Sequence, residues 1–316
     1  IASCLVGSEM CIRDRAETAM AYARQSGRNT HAVFADWMND NVEQDRRLLE
    51  DLRKALGTPQ LSLHYQPRVH ANSGRISGAE ALIRWRHPEH GYVPAERIIR
   101  LTEQSGLMDV IGNWVLDEAC RQMRCWQDAG NSEWRVAVNL SGRQLGSPKL
   151  IEDVRSALER NDLEPSRLIL EISEGAVMRD TDNAIAVLRS VAALGVGISI
   201  DDFGIGVSSL LHLKRLPATE IKIDRAFVLA LEESDEDVVI VSAIVALGHA
   251  LNMEIVAEGI ETQGQRSYVE RLGCDHLQGY LLGRPVSAEN FMRLHGGDAQ
   301  HAALETRLAS FNTSQE

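Results

Sequence analysis

No stretch of this 316-residue chain is apolar over the length that crosses a bilayer. The longest candidate, residues 238–251, is broken by Ser242, Gly248 and His249 and reads as a buried helix. No membrane contact is therefore expected within the chain, although a missing upstream region could carry an anchor. Basic charge is also outweighed, with 33 Lys and Arg against 45 Asp and Glu, and the formal net charge is −12. A general surface for a nucleic acid polymer would be basic, so that class is set aside, while one small phosphate ligand held through metals is not. The five cysteines (Cys4, Cys11, Cys120, Cys125, Cys274) are odd in number and lack zinc-type spacing. They read as reduced thiols of a cytoplasmic protein. No internal repeat or low-complexity block is present. Hydrophobic content of 44% and charged content of 25% are ordinary for a soluble globular protein.

What the chain does have is a series of short apolar runs, each ending in a carboxylate, an amide or a lysine. They read VAVN (Asn139), LILE (Glu171), ISIDD (Asp201, Asp202), EIKID (Lys222, Asp224), EIVAE (Glu258) and HLQG (Gln278), and an earlier segment, ISGAEALIRW, carries Glu80 and Arg84. Amphipathic stretches of helical length lie between them. Buried parallel strands alternating with helices have this pattern. In a barrel of such units the strand C-termini converge on one face. The carboxylates, two amides and a lysine would then meet in one cavity. So many acids cannot share a low-dielectric pocket as bare anions. Divalent cations would resolve the conflict, and oxygen-rich ligation suits Mg²⁺ or Mn²⁺.

The length allows one barrel of about 250 residues with extensions. Residues 1–15, containing CLVGSEMCIRDR, have no period and no cap. They read as a translated sequencing-library adapter, with an ordinary disordered terminus as the alternative, and are excluded from fold reasoning. Under the adapter reading the natural protein continued upstream. Residues 37–57 carry Val42, Leu48, Leu49, Leu52 and Leu56 among charges and suit a linker helix. LSLHYQP reads as a strand stopping at Pro67, followed by a hairpin-like turn. Pro94 opens a helix near 95–105, and 109–129 is a long helix ending before Gly130. Strands are expected near 134–139, 168–172, 196–201, 219–223, 253–257 and 275–279. Helices are expected at 148–160, 180–194, 209–215, 234–251 and 262–272. With the first two strands the count is eight. Gly142, Gly175, Gly204, Gly206, Gly259 and Gly279 follow strand ends, where loops need unusual backbone angles. His87 and His90, in a proline-containing loop, read as surface residues. Asp224 reads as a helix cap, Cys120 and Cys125 as packing residues, and Trp114 and Trp126 as core or interface residues.

The chain from about Leu52 to Asn290 resembles the EAL domain of cyclic-di-GMP phosphodiesterases. The resemblance is carried by HYQP (64–67), EALIRWRHP (80–88), IGNWVL (111–116), VAVNLS (136–141), LEIS (170–173), DDFGIGVSSL (201–210), IKIDR (221–225), VAEGIE (256–261) and GCDHLQGY (273–280). It implies an α/β fold, a TIM-type (β/α)₈ barrel with an atypical first strand, at 58–296, and a homodimer. It also implies hydrolysis of cyclic-di-GMP to linear pGpG with two divalent cations. By resemblance, Glu80, Asn139, Glu171 and Asp201 bind the first metal, and Asp201, Asp202 and Glu258 the second. Lys222 orients or activates the water, and Glu258 and Glu80 belong to the catalytic set. Gln278 helps to hold the water or the second-metal shell. Gln66, Leu82, Arg84 and Gln278 contact the substrate. Glu174 fastens the loop after Asp202, and Glu261 supports the site from behind. Residues 16–36 resemble the end of a GGDEF domain, without its signature, so the chain reads as a fragment of a GGDEF–EAL protein. Residues 297–316 read as a polar tail.

The physics of the reaction agrees with these roles. Two metals about 3.5–4 Å apart can generate a nucleophile and neutralise a phosphodiester. Neighbouring side chains on a strand point to opposite faces, so for Asp201 and Asp202 both to line the site the backbone must leave strand geometry at Asp202. Departures from the family pattern fall in the following loop, where Ile205 replaces a polar residue and Val207 an aromatic. Ser173 stands for the usual Thr, and Gly175 for a common Ser. A second reading is a catalytically weak or inactive EAL module that acts as a cyclic-di-GMP receptor or protein-interaction domain. Such modules usually lose a metal ligand or the lysine, and this chain has all of them. A third, a barrel acting on another phosphoester, rests on fold analogy alone.

Overall fold

The computed structural model describes residue 20 and residues 36–206 and 210–296. The adapter-like segment, the polar tail, Val207 and, apart from Met20 and Asp36, the GGDEF-like remnant therefore lie outside the described residues. Eight strands close a barrel: β1 (Leu61–His70), β2 (Ile76–His87), β4 (Arg135–Asn139), β5 (Leu168–Ser173), β6 (Gly197–Phe203), β7 (Glu220–Ile223), β8 (Glu254–Ala257) and β9 (His276–Gln278). Two short strands, β3 (Gly91–Val93) and β10 (Val286–Ser287), extend β2 and β1. From β2 round to β9 the neighbours run parallel. β1 alone closes the barrel antiparallel to both β2 and β9, which is the atypical first strand.

β1 does not stop at Pro67 as expected. On the side away from β2 it pairs with β10 through Tyr65 and with β9 from Arg68 onward. Pro67 sits in the gap between them, where the ladder asks for no N–H on that side.

The helices follow the expected rhythm. In chain order α1 is Asp36–Ala55, α2 Ala95–Ser105, α3 Met108–Asp128, α4 Gly142–Leu145, α5 Leu150–Arg160, α6 Glu174–Met178, α7 Thr181–Ala192, α8 Leu210–Arg215, α9 Arg225–Ala230, α10 Asp235–Ala250, α11 Gln263–Leu272 and α12 Ala288–His295. The short α4 and the terminal α12 were not read from the chain, and α9 only through its cap; four to eight residues are too few to show a 3.6 period. Asp224 does cap α9, its Oδ1 accepting from the Ala226 N–H at 2.7 Å. Residues 238–251 form most of α10 but are not buried all round. Val241, Ile244, Val245 and Gly248 face inward, while Val239 and Ile240 are exposed. No helix among the described residues is long and apolar enough to cross a membrane.

The apolar core lies between the strand shell and the helix shell. It contains Val136, Val138, Leu168, Leu170, Ile198, Ile200, Ile221, Ile255 and Leu277 from the strands and Leu116, Val154, Leu188 and Val269 from the helices. A separate cluster seats α1: Leu48, Leu52 and Ala55 pack with Leu61, Trp85, Val93, Ile98, Leu101 and Ile111. Asp45 adds ion pairs to Arg97 at 2.7 Å and Arg100 at 3.3 Å on α2. The expected linker helix is thus bound to the barrel. Inside the strands the filling is different. Arg68, Glu80, Glu171, Ser199, Glu220, Lys222 and Gln278 are all buried, where an ordinary barrel stacks branched apolar side chains.

Candidate active site

Parallel register brings the run-ending residues to one mouth. Asn139 lies beside Glu171, and Gln66 opposite Glu80. Lys222 rises from β7 into the centre and gathers four acids. Its Nζ lies 2.7 Å from Glu258 Oε1, 2.9 Å from Glu171 Oε2, 3.3 Å from Asp201 Oδ2 and 3.7 Å from Glu80 Oε2. Burial alone would push the lysine down, but the four carboxylates outweigh it and hold the ammonium charged. Among the described residues no three His, Cys, Asp or Glu side chains form a ready-made metal cluster. The acids lean on the ammonium instead.

Each acid feels a different environment. Glu80 accepts from Asn139 Nδ2 at 2.7 Å and from Gln278 Nε2 at 2.6 Å. Burial raises its carboxyl, but Lys222, Gln278 and Asn139 together bring it below its ordinary value. Glu171 is fully buried, and its Oε1 has no hydrogen-bond partner. Burial pushes its carboxyl well up, with Glu80 and Asp201 adding to the effect and Lys222 opposing it. Glu258 is raised for the same reasons. The pocket therefore holds more acid than its cations balance, and hard oxygen donors in that state fit a hard divalent cation.

The backbone departs from strand geometry at Asp202, as the adjacent aspartates require. Its φ is +54°, and the β6–β7 register shifts between Ile200 and Phe203. Asp202 is exposed, however, and stands outside the group on Lys222. Its N–H donates to Asp201 Oδ1 at 2.8 Å, and partial burial beside Asp201 raises its carboxyl. Glu174 is buried at the start of α6, and its Oε2 accepts from the Gly204 N–H at 3.0 Å. Glu174 thus both opens α6 and anchors the loop. Gly204 has the expected positive φ, +104°, and Gly259 +69°. Gly142, Gly175, Gly206 and Gly279 do not; Gly279 is small because a Cβ there would stand 2.1 Å from the Ile260 carbonyl oxygen.

Gln66 and Gln278 are joined at 3.4 Å, and Gln66 Nε2 donates to the Gly283 carbonyl at 3.2 Å. Leu82 and Arg84 are half-buried on β2, and Arg84 Nη1 donates to the Ile83 carbonyl at 2.8 Å. Glu261 is not brought to the cluster. It is exposed, and its N–H donates to Gln265 Oε1 at 2.8 Å in the approach to α11. Ile205 is exposed beyond β6.

Two buried charges escaped the sequence reading. Arg68 donates to Glu220 Oε2 inside the barrel, and its Nη1 lies 3.7 Å from Glu171 Oε1. The signal was there, a basic residue after QP and an acid opening EIKI, but a strand ended at Pro67 leaves Arg68 in a loop. His87 is buried rather than on the surface. Its Nδ1 accepts from the Glu89 and His90 N–H groups, and its Nε2 lies 3.4 Å from Asp51 on α1. Cys120 is buried and Cys125 exposed. Trp126 is core, and Trp114 half-buried.

Comparison with known proteins agrees with this architecture. The EAL domain family model matches residues 49–285. The chain belongs to the EAL domain family. It is 53% identical over 277 residues to the bifunctional diguanylate cyclase/cyclic di-GMP phosphodiesterase MucR of Pseudomonas aeruginosa, covering 88% of this chain and 40% of that protein. It is 40% identical to the cyclic di-GMP phosphodiesterase NbdA of the same organism, covering 89% of this chain and 36% of that one. The chain thus spans well under half the length of these relatives. The solved structure of the PaMucR phosphodiesterase in complex with c-di-GMP matches with a TM-score of 0.75 at 56% identity, over 78% of this chain and 99% of that one.

Proposed function

We propose that this chain is a metal-dependent phosphodiesterase that hydrolyses cyclic di-GMP to linear pGpG in the bacterial cytoplasm, lowering the messenger. One observation carries the reading. Four carboxylates converge on a buried lysine at the mouth of a barrel whose similar solved structure is a phosphodiesterase complexed with c-di-GMP. The donor set suits Mg²⁺ or Mn²⁺. Glu80, Asn139, Glu171 and Asp201 would hold one cation, and Asp201, Asp202 and Glu258 a second. Such cations, when bound, supply Lewis acidity and neutralise the charge that grows on a phosphodiester in hydrolysis.

The chain's own groups do the rest. Lys222, kept charged by its acids, donates to the attacking water and orients it; a base would have to be neutral. Asn139 and Gln278 fix both oxygens of Glu80. Gln66, Leu82 and Gln278 line the substrate's approach, and Arg84 offers a planar fork to a phosphate. Glu174 steadies the loop after Asp202. Self-association is part of the reading, and the exposed Leu229, Val239 and Ile240 on α9 and α10 would serve it.

The test is the purified protein with cyclic di-GMP and Mg²⁺ or Mn²⁺, with products separated by chromatography. Formation of pGpG, abolished by chelation, is the expected result. Tight nucleotide binding with no product under either metal would favour the receptor reading.

A further inference from the structure

Beneath the acids that face Lys222 lies a charge pair that the proposed reaction does not use. Arg68 on β1 is 3% exposed, and Glu220 at the base of β7 is 1% exposed. The guanidinium donates through Nη2 to Glu220 Oε2 and presents Nη1 to Glu171 Oε1 at 3.7 Å. Glu171 Oε2 accepts from Lys222 at 2.9 Å, but Oε1 is buried without a hydrogen-bond partner. Arg68 is the cation that faces this orphan oxygen.

Stability alone does not account for such a pair. Taking two charges out of water is costly, and a buried ion pair replaced by apolar side chains of similar volume is often neutral or stabilising. The interior of an ordinary barrel is filled with branched apolar residues. Here three strands, β1, β5 and β7, instead send Arg68, Glu171 and Glu220 into one line. A planar guanidinium can address one carboxylate below and another above, which an ammonium does less well. Glu220 fixes the guanidinium from below, and the guanidinium fixes the side on which Glu171 keeps its free oxygen.

We propose that Arg68, braced by Glu220, is a positioning residue that orients the Glu171 carboxylate for cation binding and for its contact with Lys222. The role rests on the metal-dependent reading above. The pair acts through Glu171 and does not touch substrate.

The decisive protein carries Arg68→Met with Glu220→Met, which fills the same space without charge. It is expected to fold and to melt at or above the wild-type temperature. Calorimetry with Mn²⁺ alone is expected to show binding about 10–100-fold weaker, with kcat lowered by a similar factor, as for other groups that orient metal ligands. KM for cyclic di-GMP is expected to stay nearly unchanged. Arg68→Lys, which keeps the charge but not the fork, is expected to fall between. A folded double variant with wild-type Mn²⁺ affinity and kcat would overturn the proposal and leave the pair as filling. Should the double variant not fold, Arg68→Lys decides: weakened Mn²⁺ binding supports the role and wild-type binding refutes it. The calorimetric comparison needs no turnover. If the wild-type protein failed to hydrolyse cyclic di-GMP, the functional reading would fall, and the Mn²⁺ affinities would still judge Arg68.

Discussion

Lys222 holds four acids together. Lys222→Ala removes their shared counter-charge and leaves carboxylates buried and unpaired, a loss of about 3–5 kcal/mol for a broken buried pair. The metal-free variant is therefore expected to melt well below wild type, and Mn²⁺ to restore more of its stability than it adds to wild type. Hydrolysis at saturating nucleotide is expected to drop about 10²-fold or more, the scale for a reacting group left out of position, with nucleotide binding largely kept. Equal stabilisation of both proteins by Mn²⁺ in a melting series would show that cations do not take over the lysine's role. Asp201→Asn is a gentler change, because shape is kept and one negative charge is lost. It is expected to abolish hydrolysis with a wild-type circular dichroism spectrum. Substantial turnover in that folded variant would remove Asp201 as a cation bridge. Asn139, Glu171 and Gln278 were readable as site residues because each ends an apolar run. Arg68 was not, since nothing local says that a strand continues through a proline, and Glu220 opens its run rather than closing it.

Among the elements, the loop after β6 is tied to α6 by a long-range contact. The Gly204 N–H has the Glu174 carboxylate as its acceptor; Gly204 itself is exposed, so losing the bond costs less than the about 1–3 kcal/mol of a buried orphan donor. Glu174→Ala is expected to speed hydrogen exchange at the Gly204 amide and to lower activity. Glu174→Gln keeps an acceptor oxygen and is expected to stay slow. Similar exchange in both variants would make Glu174 only the first residue of α6. On the other flank, α1 is bound through Leu48, Leu52 and Ala55. β2 runs from Glu80 in the site to Trp85 in that contact, so α1 and the site share a strand. Leu52 is fully buried, and Leu52→Ala is expected to cost about 2–5 kcal/mol in urea unfolding. A loss below about 0.5 kcal/mol, as at ordinary surface positions, would mean that α1 is not part of the cooperative unit.

The whole molecule carries its unbalanced charge at one end and a second polar cluster at the other. At the base of β8, Glu254 lies 3.4 Å from His276 Nε2 and 2.7 Å from Arg135 Nη2. The His276 contact first, and then Arg135, outweigh burial and bring the Glu254 carboxyl from 4.5 to about 2. A carboxyl depressed on folding stabilises the native state above its unfolded value and loses that contribution as pH falls through the folded one. Stability is therefore expected to decline between pH 4.5 and about 2, and Glu254→Gln to flatten that part of the curve. The side chain is half exposed, so the effect is modest and salt-sensitive. An unchanged acid limb in the variant would assign the decline to other carboxylates.

Alternation of strand and helix, and the polar residues that close each strand, could be read along the chain. Both are local: a parallel strand buried on two faces reads as an apolar run, and the polar residue that closes the run marks its C-terminal side. The adjacent aspartates even announced the break at Asp202. Distance in sequence hid everything else. Closure by an antiparallel β1, the seat of α1 on Trp85 and the burial of His87 against Asp51 each join segments whose own patterns are complete without the other. The barrel's interior is the clearest case. Glu220, Arg68, Glu171 and Lys222 come from three strands, and each charge is tolerable in the core only because the next one stands beside it. Such mutual dependence has no period and no motif, and it exists only once the strands have closed.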